Sequence, residues 1–405
     1  MTLKVPTENR REAAKIRVCH VQTTPQLAGA QRVMLDIFEQ LDRNRFELHV
    51  ACGANGPLTD VLSAVGIKSH VIPSLVRSIR PLRDYRAYAE LRALFERERF
   101  DVVHTHSSKP GILGRLAARH AGVEGIVHHV QGFAFHEFTP APLRLLGTLA
   151  ERWAGANCDR IVFVNQEERA WAIQTARLPA HKCVTIYNGA DLQRFSPAPS
   201  LERRAELRKA LGIDADEVAV LFVGRLAPQK QPLIIPQVAK RLDELLPDTA
   251  WRILVAGSGP LEDALNDGIH KLGMEQRVQL LSWQDATEQW MQSADVLLQP
   301  TLWEGLPLAA IEAMGAGIPV VAADVKGNRE AVSETTGSLC EPRSPEAFAR
   351  ALARFVASSR LRQECGAEGR LRAERDFDRV VNYARFADLY EELTATRLPA
   401  SRVAA

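Results

Sequence analysis

The chain has 405 residues, of which 46% are hydrophobic and 25% are charged. At about 150 residues per domain this length predicts two or three domains, and we expect two. The composition is typical of soluble globular proteins, and no run reaches the roughly 18 apolar residues that a spanning helix requires. The charged start, MTLKVPTENRREAAK, is unlike a secretory signal, so we expect a cytoplasmic protein.

The cysteines are spread along the chain without a CxxC pair or a Cys/His cluster. This spacing predicts reduced core thiols, with neither disulfides nor a zinc site. The six residues are Cys19, Cys52, Cys158, Cys183, Cys340 and Cys365.

The formal net charge of +2 conceals an asymmetry between the two halves. Residues 1–198 carry 26 basic and 19 acidic side chains, whereas the remaining residues carry 25 and 30. An arginine-rich run at residues 77–100 contributes much of the basic excess. This run could contact anionic lipid head groups or an acidic substrate. An equally good interpretation is a solvated helix face that carries Glu–Arg pairs. Because the run has no interleaved aromatic platform, we expect no nucleic-acid partner.

The first half alternates short apolar runs with amphipathic segments. After a tail at residues 1–15 that we expect to be disordered, helices are predicted at 31–41, 84–99 and 111–121. Strands are predicted at 16–22, 46–52, 69–73, 101–106, 125–133 and 160–165. This alternation predicts an α/β fold with a doubly wound parallel sheet that binds ligands at the carboxyl ends of its strands.

A second α/β series follows the sequence SPAPS at residues 196–200, which is typical of a linker. Its strands are predicted at 218–224, 251–257, 278–282, 296–300 and 319–323, and helices at 344–359 and 380–393. We therefore predict two Rossmann-like domains at 16–198 and 199–378. The helix at 379–395 packs on the second domain or crosses back to the first.

Two carboxylates bracket a predicted helix in TLWEGLPLAAIEAMGAGIPVV, residues 301–321. Pro307 belongs to the first turn, where a missing N–H is harmless, and the helix ends before Pro319. Glu304 precedes the helix, and Glu312 lies on it among apolar residues. Helix N-termini bind phosphates and carboxylates accept hydrogen bonds from hydroxyls, so the segment favours a nucleotide diphosphate-sugar site. The alternative is a buried amphipathic helix whose glutamate extends to solvent.

Two cations follow the first strand of the second series, in VGRLAPQK. Arg225 offers a planar fork for phosphate oxygens and Lys230 a flexible charge, so together they suit a diphosphate leaving group without a metal. Gly257 and Gly259 after the next strand permit a tight turn near the ligand. As a dinucleotide fingerprint these glycines are weak, because a third glycine is missing.

From residue 16 to about residue 393 the chain resembles the retaining glycosyltransferases of family 4, which have the GT-B fold of two facing Rossmann-like domains. The resemblance rests on the Glu-x7-Glu element EGLPLAAIE and on GRLxxxK, which begins at Gly224. The segment FDVVHTHSSKPGILGRLAAR, residues 100–119, is similar to members that build bacterial capsules, exopolysaccharides or O-antigens.

The resemblance implies a role for each matching residue. Arg225 and Lys230 would hold the donor diphosphate, and Glu304 would contact hydroxyls of the donor sugar. Glu312 would bind the ribose. Further donor contacts are expected at Gly224, Gly257, Gly259, Gly305, Leu306 and Pro307, and acceptor-side contacts at Gly29, His106 and His129.

The chain departs from the family pattern at two places. The loop after the first strand reads Ala28-Gly29-Ala30, where relatives have two adjacent glycines. Gln131 occupies the position at which similar members carry a histidine close to the donor sugar. Glutamine forms hydrogen bonds but cannot become an imidazolium. Strand alternation places His129 on the same face as Gln131.

We therefore expect a retaining transfer of sugar from a nucleotide diphosphate to a glycan or lipid diphosphate-linked acceptor, in bacterial surface polysaccharide synthesis. No cofactor or metal is expected, because no ligand cluster is present. The basic first half suggests peripheral association with an anionic membrane. One alternative is a GT-B sugar-nucleotide binder that has lost activity at Gln131. A nicotinamide-dependent oxidoreductase is disfavoured by the missing fingerprint. The sequence leaves the sugar, the acceptor and the oligomeric state open.

Overall fold

The computed structural model describes residues 15–133 and 139–395, so that residues 1–14 of the predicted tail lie outside the described part. The first half of the chain forms one parallel sheet with strand order β3-β2-β1-β4-β5-β6-β7. Its strands are β1 (Ile16–Val21), β2 (Phe46–Cys52), β3 (Lys68–Val71), β4 (Val102–His106), β5 (Gly125–Val130), β6 (Arg160–Phe163) and β7 (Cys183–Thr185).

The second half forms another parallel sheet with order β10-β9-β8-β11-β12-β13. Its strands are β8 (Val218–Val223), β9 (Trp251–Ala256), β10 (Val278–Leu280), β11 (Val296–Gln299), β12 (Val320–Ala323) and β13 (Gly337–Cys340). Both strand orders reverse direction beside the first strand of the series, as in doubly wound folds. The prediction of two Rossmann-like sheets is confirmed.

Helices connect the strands in both series. The first series contains α1 (Gly29–Gln40), α2 (Pro57–Ala64), α3 (Pro81–Glu98), α4 (Ser108–His120), α5 (Ala141–Gly155) and α6 (Gln166–Gln174). The later helices are α7 (Leu201–Ala210), α8 (Ile235–Leu245), α9 (Glu262–Leu272), α10 (Thr287–Ser293), α11 (Leu308–Gly315), α12 (Lys326–Ala331), α13 (Pro345–Ala357), α14 (Ser359–Asp376) and α15 (Arg379–Thr394). Within the described ranges no helix is both long and apolar enough to cross a membrane.

The second sheet is covered on both faces, which explains the continuous apolar runs in its strands. On β8, Val220 and Phe222 belong to one buried cluster, whereas Ala219 and Leu221 belong to another. Because successive side chains of a strand point to opposite faces, both faces need apolar residues. The six cysteines are buried free thiols.

Two short strands, β7 and β13, were not predicted from the sequence. Each has only three or four residues and lies at the edge of its sheet. An edge strand pairs on one side only, so it can be shorter and less apolar than a central strand. The sequence window therefore contains too few residues for a strand pattern.

Contacts divide the chain into two compact units. Of the described residues, 15–128, 157–159 and 386–395 belong to unit 1, and 129–133, 139–156 and 160–385 belong to unit 2. Unit 2 includes residues 129–133 because these pack against the loop around Gly305. This division follows contacts rather than sheets, so the domain boundaries at 198 and 378 stay a prediction.

Glycines of α14 allow this helix to lie close to the turn that ends α11. A Cβ at Gly366 would lie 2.1 Å from the Gly317 carbonyl oxygen, whereas a Cβ at Gly369 would lie 3.5 Å from Met314 Cγ. The first distance is a clash with backbone, and the second is ordinary contact. Close packing at Gly366 therefore helps to hold the helix that carries Glu312.

Gly366→Ala is expected to lower the free energy of unfolding by about 1 to 3 kcal/mol, because the backbone must move to admit the methyl group. Gly369→Ala, in the same helix, is the matched control and should raise it by up to about 1 kcal/mol through helix propensity. Urea unfolding measures both changes. Equal stabilisation by the two substitutions would contradict the packing at Gly366.

Candidate functional site

An ion pair joins the loops that follow two neighbouring strands of the second sheet. Lys230 lies after β8 and Glu304 after β11, and these strands are paired in parallel. Lys230 Nζ lies 2.5 Å from Glu304 Oε1. Since both loops leave the carboxyl edge of the sheet, the pair stands where α/β sheets bind ligands.

Further hydrogen bonds orient Glu304. Thr301 Oγ1 donates to Glu304 Oε1 at 3.0 Å, and Gln299 Nε2 donates to the same oxygen at 3.4 Å. The Gln229 side chain donates to the Trp303 carbonyl at 3.0 Å, which ties the two loops together. The carboxylate is thus held by one cation and two neutral donors.

Arg225 differs from Lys230 in its surroundings. Its side chain is exposed and forms no hydrogen bond or ion pair with the part of the chain that the structure describes. A guanidinium that no carboxylate neutralises can bind phosphate oxygens in a bidentate manner. The diphosphate role of Arg225 stays a prediction.

Predicted donor-site glycines bring the loops after β8 and β9 together. A Cβ on Gly257 would lie 1.9 Å from the Gly224 carbonyl oxygen, and one on Gly259 would lie 2.5 Å from the Leu226 carbonyl oxygen. Larger residues would push the loops apart. Glycine is therefore required here for loop packing, whether or not a ligand approaches.

A second close approach joins residues 131–132 to Gly305. A Cβ on Gly305 would lie 2.5 Å from the Gln131 carbonyl oxygen, and Gly132 has a φ of +101°, a conformation that favours glycine. Gly327 packs on the other side, where a Cβ would lie 2.4 Å from the Gly305 carbonyl oxygen. The structure thus brings Gln131 beside the loop of Glu304.

The side-chain amide of Gln131 is unsatisfied. Its Oε1 and Nε2 atoms are both buried, and neither has a hydrogen-bond partner among the described residues. A buried polar group without a partner costs about 1 to 3 kcal/mol, so native proteins rarely keep one without a reason. An amide in this state can accept and donate to a bound hydroxyl-rich molecule.

Two polar residues that sequence analysis missed support this region. Asn165 Nδ2 donates to the Gly305 carbonyl at 2.6 Å and to Glu168 Oε2 at 3.2 Å. The Phe133 N–H donates to Glu168 Oε1 at 3.2 Å. Asn165 caps α6 and accepts from the Glu168 N–H at 2.6 Å. The sequence signal was an Asn followed three residues later by Glu, which is typical of a helix start.

The helix that carries Glu312 begins one residue later than predicted, at Leu308, so Pro307 precedes its first turn. Pro307 is the N-cap of α11, which ends at Gly315. Asn188 Nδ2 donates to the Leu306 carbonyl at 3.1 Å and so fixes the approach to the helix. Glu312 is partly buried on α11. Its predicted contact with ribose stays a prediction.

A cavity of about 650 Å³ opens beside Glu304 within unit 2. Its lining combines two carboxylates, two cations and aromatic rings, with Lys326 Nζ 5.4 Å from the centroid of the Trp171 ring. The lining residues are Gly132, Phe133, Ala141, Arg144, Leu145, Thr148, Glu168, Trp171, Thr175, Trp303, Glu304, Val325 and Lys326. Such a mixture suits a polar ligand with an apolar face.

Burial changes the pKa of Glu168, which lines this cavity, and of His129 on β5. Desolvation raises the pKa of Glu168 to about 7, although the Phe133 N–H and the Lys326 charge oppose the rise. Desolvation lowers the pKa of His129 to about 3, so this buried histidine is neutral near pH 7. His129 therefore cannot supply the positive charge that Gln131 lacks.

The other predicted acceptor-side residues, Gly29 and His106, belong to unit 1. Gly29 is exposed at the start of α1. His106 is fully buried, with Nε2 2.9 Å from His20 Nδ1. The Tyr390 hydroxyl lies 2.5 Å from His104 Nδ1 and 3.1 Å from His20 Nε2. His106 thus belongs to a hydrogen-bonded core network, and its acceptor contact stays a prediction.

Among the described residues, His20, His104 and His106 form a group that could hold a metal ion. One ring nitrogen of each lies within 4.8 Å of those of the other two. Hydrogen bonds to His and Tyr partners already engage these rings. We therefore assign no metal to the cluster. The absence of a metal requirement stays a prediction.

Family models match both halves of the chain. Residues 27–194 match the model described as Glycosyltransferase Family 4, and residues 203–372 match Glycosyl transferases group 1. A relative from Escherichia coli, named UDP-Gal:alpha-D-GlcNAc-diphosphoundecaprenol alpha-1,3-galactosyltransferase, is 34% identical over 389 residues. The match covers 95% of this chain and 99% of the relative.

Solved structures share the fold. Anabaena HepE in complex with UDP aligns with a TM-score of 0.78 at 22% identity, covering 94% of this chain and 100% of that one. Sucrose-phosphate synthase from Thermosynechococcus elongatus also gives 0.78, at 20% identity and with the same coverage. At these identities the likeness establishes the fold, which is GT-B.

Glu168→Gln is expected to remove a pH dependence of stability. The folded protein keeps this carboxyl protonated up to about pH 7, whereas the unfolded chain releases the proton near the ordinary pKa of 4.5. Because the folded state binds more protons between these values, stability falls as the pH rises through this window, by on the order of 3 kcal/mol. Urea unfolding between about pH 5 and 8 measures the slope.

Glu167→Gln is the matched control, because Glu167 is a neighbouring, half-exposed carboxylate in an ion pair with Arg329. This variant should keep the slope of the parent protein. If the Glu168 and Glu167 variants give parallel profiles, the pH dependence does not come from Glu168.

Proposed function

The chain belongs to glycosyltransferase family 4, and from this premise we propose that it transfers a hexose from a uridine diphosphate-sugar to a lipid diphosphate-linked GlcNAc. The transfer proceeds with retention at the anomeric carbon and without a metal. The observation that carries this proposal is the Lys230–Glu304 pair beside the unsatisfied amide of Gln131. The Lys230 cation, the Glu304 carboxylate and the Gln131 amide thus belong to adjoining loops.

On the donor side, Arg225 and Lys230 neutralise the diphosphate, and Glu304 accepts hydrogen bonds from sugar hydroxyls. Lys230 can reach the diphosphate from its place beside Glu304 because its side chain is flexible. Gln131 supplies a further donor and acceptor to the sugar. The choice of uridine follows the name of the E. coli relative, which specifies UDP-Gal.

The reaction needs no protein nucleophile. The bond between the anomeric carbon and the diphosphate oxygen breaks, and the acceptor oxygen bonds to the same face of that carbon. The proton of the acceptor hydroxyl moves to the departing phosphate oxygen. The protein contributes position and charge stabilisation, since Arg225 and Lys230 offset the negative charge that develops on the diphosphate.

The acceptor and the setting are carried over from the same relative, which acts on a GlcNAc-diphosphoundecaprenol. We propose that this protein also serves bacterial surface polysaccharide synthesis, at the cytoplasmic face of a membrane. Exposed apolar side chains at Ile79, Leu82 and Tyr85 stand among arginines at the start of α3. This combination supports peripheral association with anionic lipid.

The proposal is tested by incubating the protein with a panel of nucleotide sugars and a GlcNAc diphosphate lipid, with and without a chelator. We expect product from a uridine diphosphate-hexose at an undiminished rate in the chelator. NMR of the product should show the anomeric configuration of the donor. An inverted product, or loss of the rate with the chelator, contradicts the corresponding part of the proposal.

Lys230→Ala is the inactivated variant for this assay. It should lower turnover about 10²-fold or more, equivalent to about 3 kcal/mol of charge stabilisation. Lys240→Ala, an exposed lysine on α8, is the matched control and should retain full activity. Turnover of the Lys230 variant within about threefold of the parent would remove Lys230 from the reaction.

Gln131 distinguishes an active enzyme from an inactive sugar-nucleotide binder. Gln131→Ala should cost about 1 to 3 kcal/mol of transition-state stabilisation through lost hydrogen bonds to the substrate. Gln131→His should be tolerated, and steady-state rates measure both changes. If the parent protein transfers no sugar and only Gln131→His restores transfer, the chain is a binder rather than an enzyme.

A further inference from the structure

Helix α5 places large apolar side chains in solvent. Four residues on one face of the helix are more than half exposed, at 61% for Leu145, 64% for Leu146, 51% for Leu149 and 56% for Trp153, and Leu143 is exposed on another face. At about 100° per residue these four positions fall within about 100° of the helix circumference. We call them the α5 ridge.

The opposite side of the same helix holds it to the protein. Glu151, Ala154 and Gly155 are buried, and a Cβ on Gly155 would lie 2.5 Å from Leu178 Cδ2. An amphipathic helix normally turns its apolar side inward. Here the leucines face outward, although other residues already pack the inner face of the helix. Their exposure is therefore not explained by packing of the core.

The ridge is continuous with the cavity beside Glu304. Leu145 belongs to both, because it lines the cavity together with Ala141, Arg144 and Thr148 of the same helix. The cavity therefore has one polar end, at Glu304 and Gly132, and one apolar margin that leads onto the ridge. A ligand that spans both regions needs a polar head and a hydrocarbon tail.

Arg144 is a cation in the lining of the cavity. It is exposed and forms no ion pair with a described residue. Its guanidinium can therefore receive the phosphate oxygens of a diphosphate that enters the cavity beside the ridge.

We propose that the α5 ridge binds the hydrocarbon chain of the lipid diphosphate acceptor, while Arg144 binds its diphosphate and the cavity holds its sugar. The assignment rests on the proposed function for the identity of the acceptor. Burial of alkyl groups against Leu145 and Leu149 then adds to acceptor affinity in proportion to the area covered.

The test measures equilibrium binding without a donor, so that it does not depend on catalysis. The probes are decyl and ethyl diphosphate esters of GlcNAc, below the micelle concentration and without a bilayer. The parent protein should bind the decyl ester about tenfold or more tightly than the ethyl ester. Leu146→Ser/Leu149→Ser, at ridge positions outside the cavity lining, should remove most of that preference and leave binding of the ethyl ester unchanged.

Two controls separate the contributions. Leu201→Ser/Leu371→Ser removes two exposed leucines, 82% and 58% exposed, from α7 and α14 and should keep the chain-length preference. Arg144→Gln should weaken both esters by a similar factor. Arg152→Gln, an exposed arginine of α5 outside the cavity lining, should weaken neither.

Several outcomes would overturn the assignment. They are equal binding of the two esters by the parent, and retention of the preference in the ridge variant. Loss of vesicle flotation in the ridge variant with an unchanged preference would make the ridge a bilayer contact. If the ridge substitutions dissociate a dimer in sedimentation and leave the chain-length preference unchanged, the ridge is an interface between copies of this chain.

A further outcome separates the ridge from the proposed reaction. Chain-length-dependent binding without any sugar transfer would support the ridge as the binding site of the hydrocarbon chain and refute the proposed reaction.

Discussion

The candidate site depends on how closely three backbone segments approach one another at Gly305. Gly132 and Gly327 pack against it, and the Asn165 amide holds its carbonyl. A Cβ on Gly305 would lie 2.5 Å from the Gln131 carbonyl oxygen and one on Gly327 would lie 2.4 Å from the Gly305 carbonyl oxygen, so a side chain at either position would force the segments apart. The position of Glu304, one residue earlier, is therefore set by backbone packing and does not rely on its own flexible side chain.

Two carboxylates near the cavity differ because their surroundings differ. Glu304 has a lysine and two neutral donors, so its charge is balanced and available to hydroxyls. Glu168 is buried against an amide and a backbone N–H, which raises its pKa towards neutrality. The first residue is suited to bind substrate, and the second to hold the loop that carries Gln131.

Unsatisfied groups point to the ligand more directly than paired ones. The Gln131 amide is buried without a partner among the described residues, and the Arg225 guanidinium is exposed without one. The leucines of α5 add an apolar group that water surrounds. A hydroxyl-rich sugar, a diphosphate and a hydrocarbon chain supply the three complementary surfaces, as a nucleotide sugar and a lipid-linked acceptor together would.

The sequence by itself determined the two parallel sheets, the start of α11 to within one residue of Pro307 and the placement of Lys230 and Glu304 after strands. These follow from local patterns: apolar periodicity, proline geometry and the rule that loops at the carboxyl edge of a sheet meet. Tertiary structure alone decided that the Gln131 amide has no partner within residues 15–133 and 139–395, that Glu168 is buried and that the α5 ridge faces outward. A sequence shows which residues share a helix face but not what covers that face, since burial depends on segments far away in the chain.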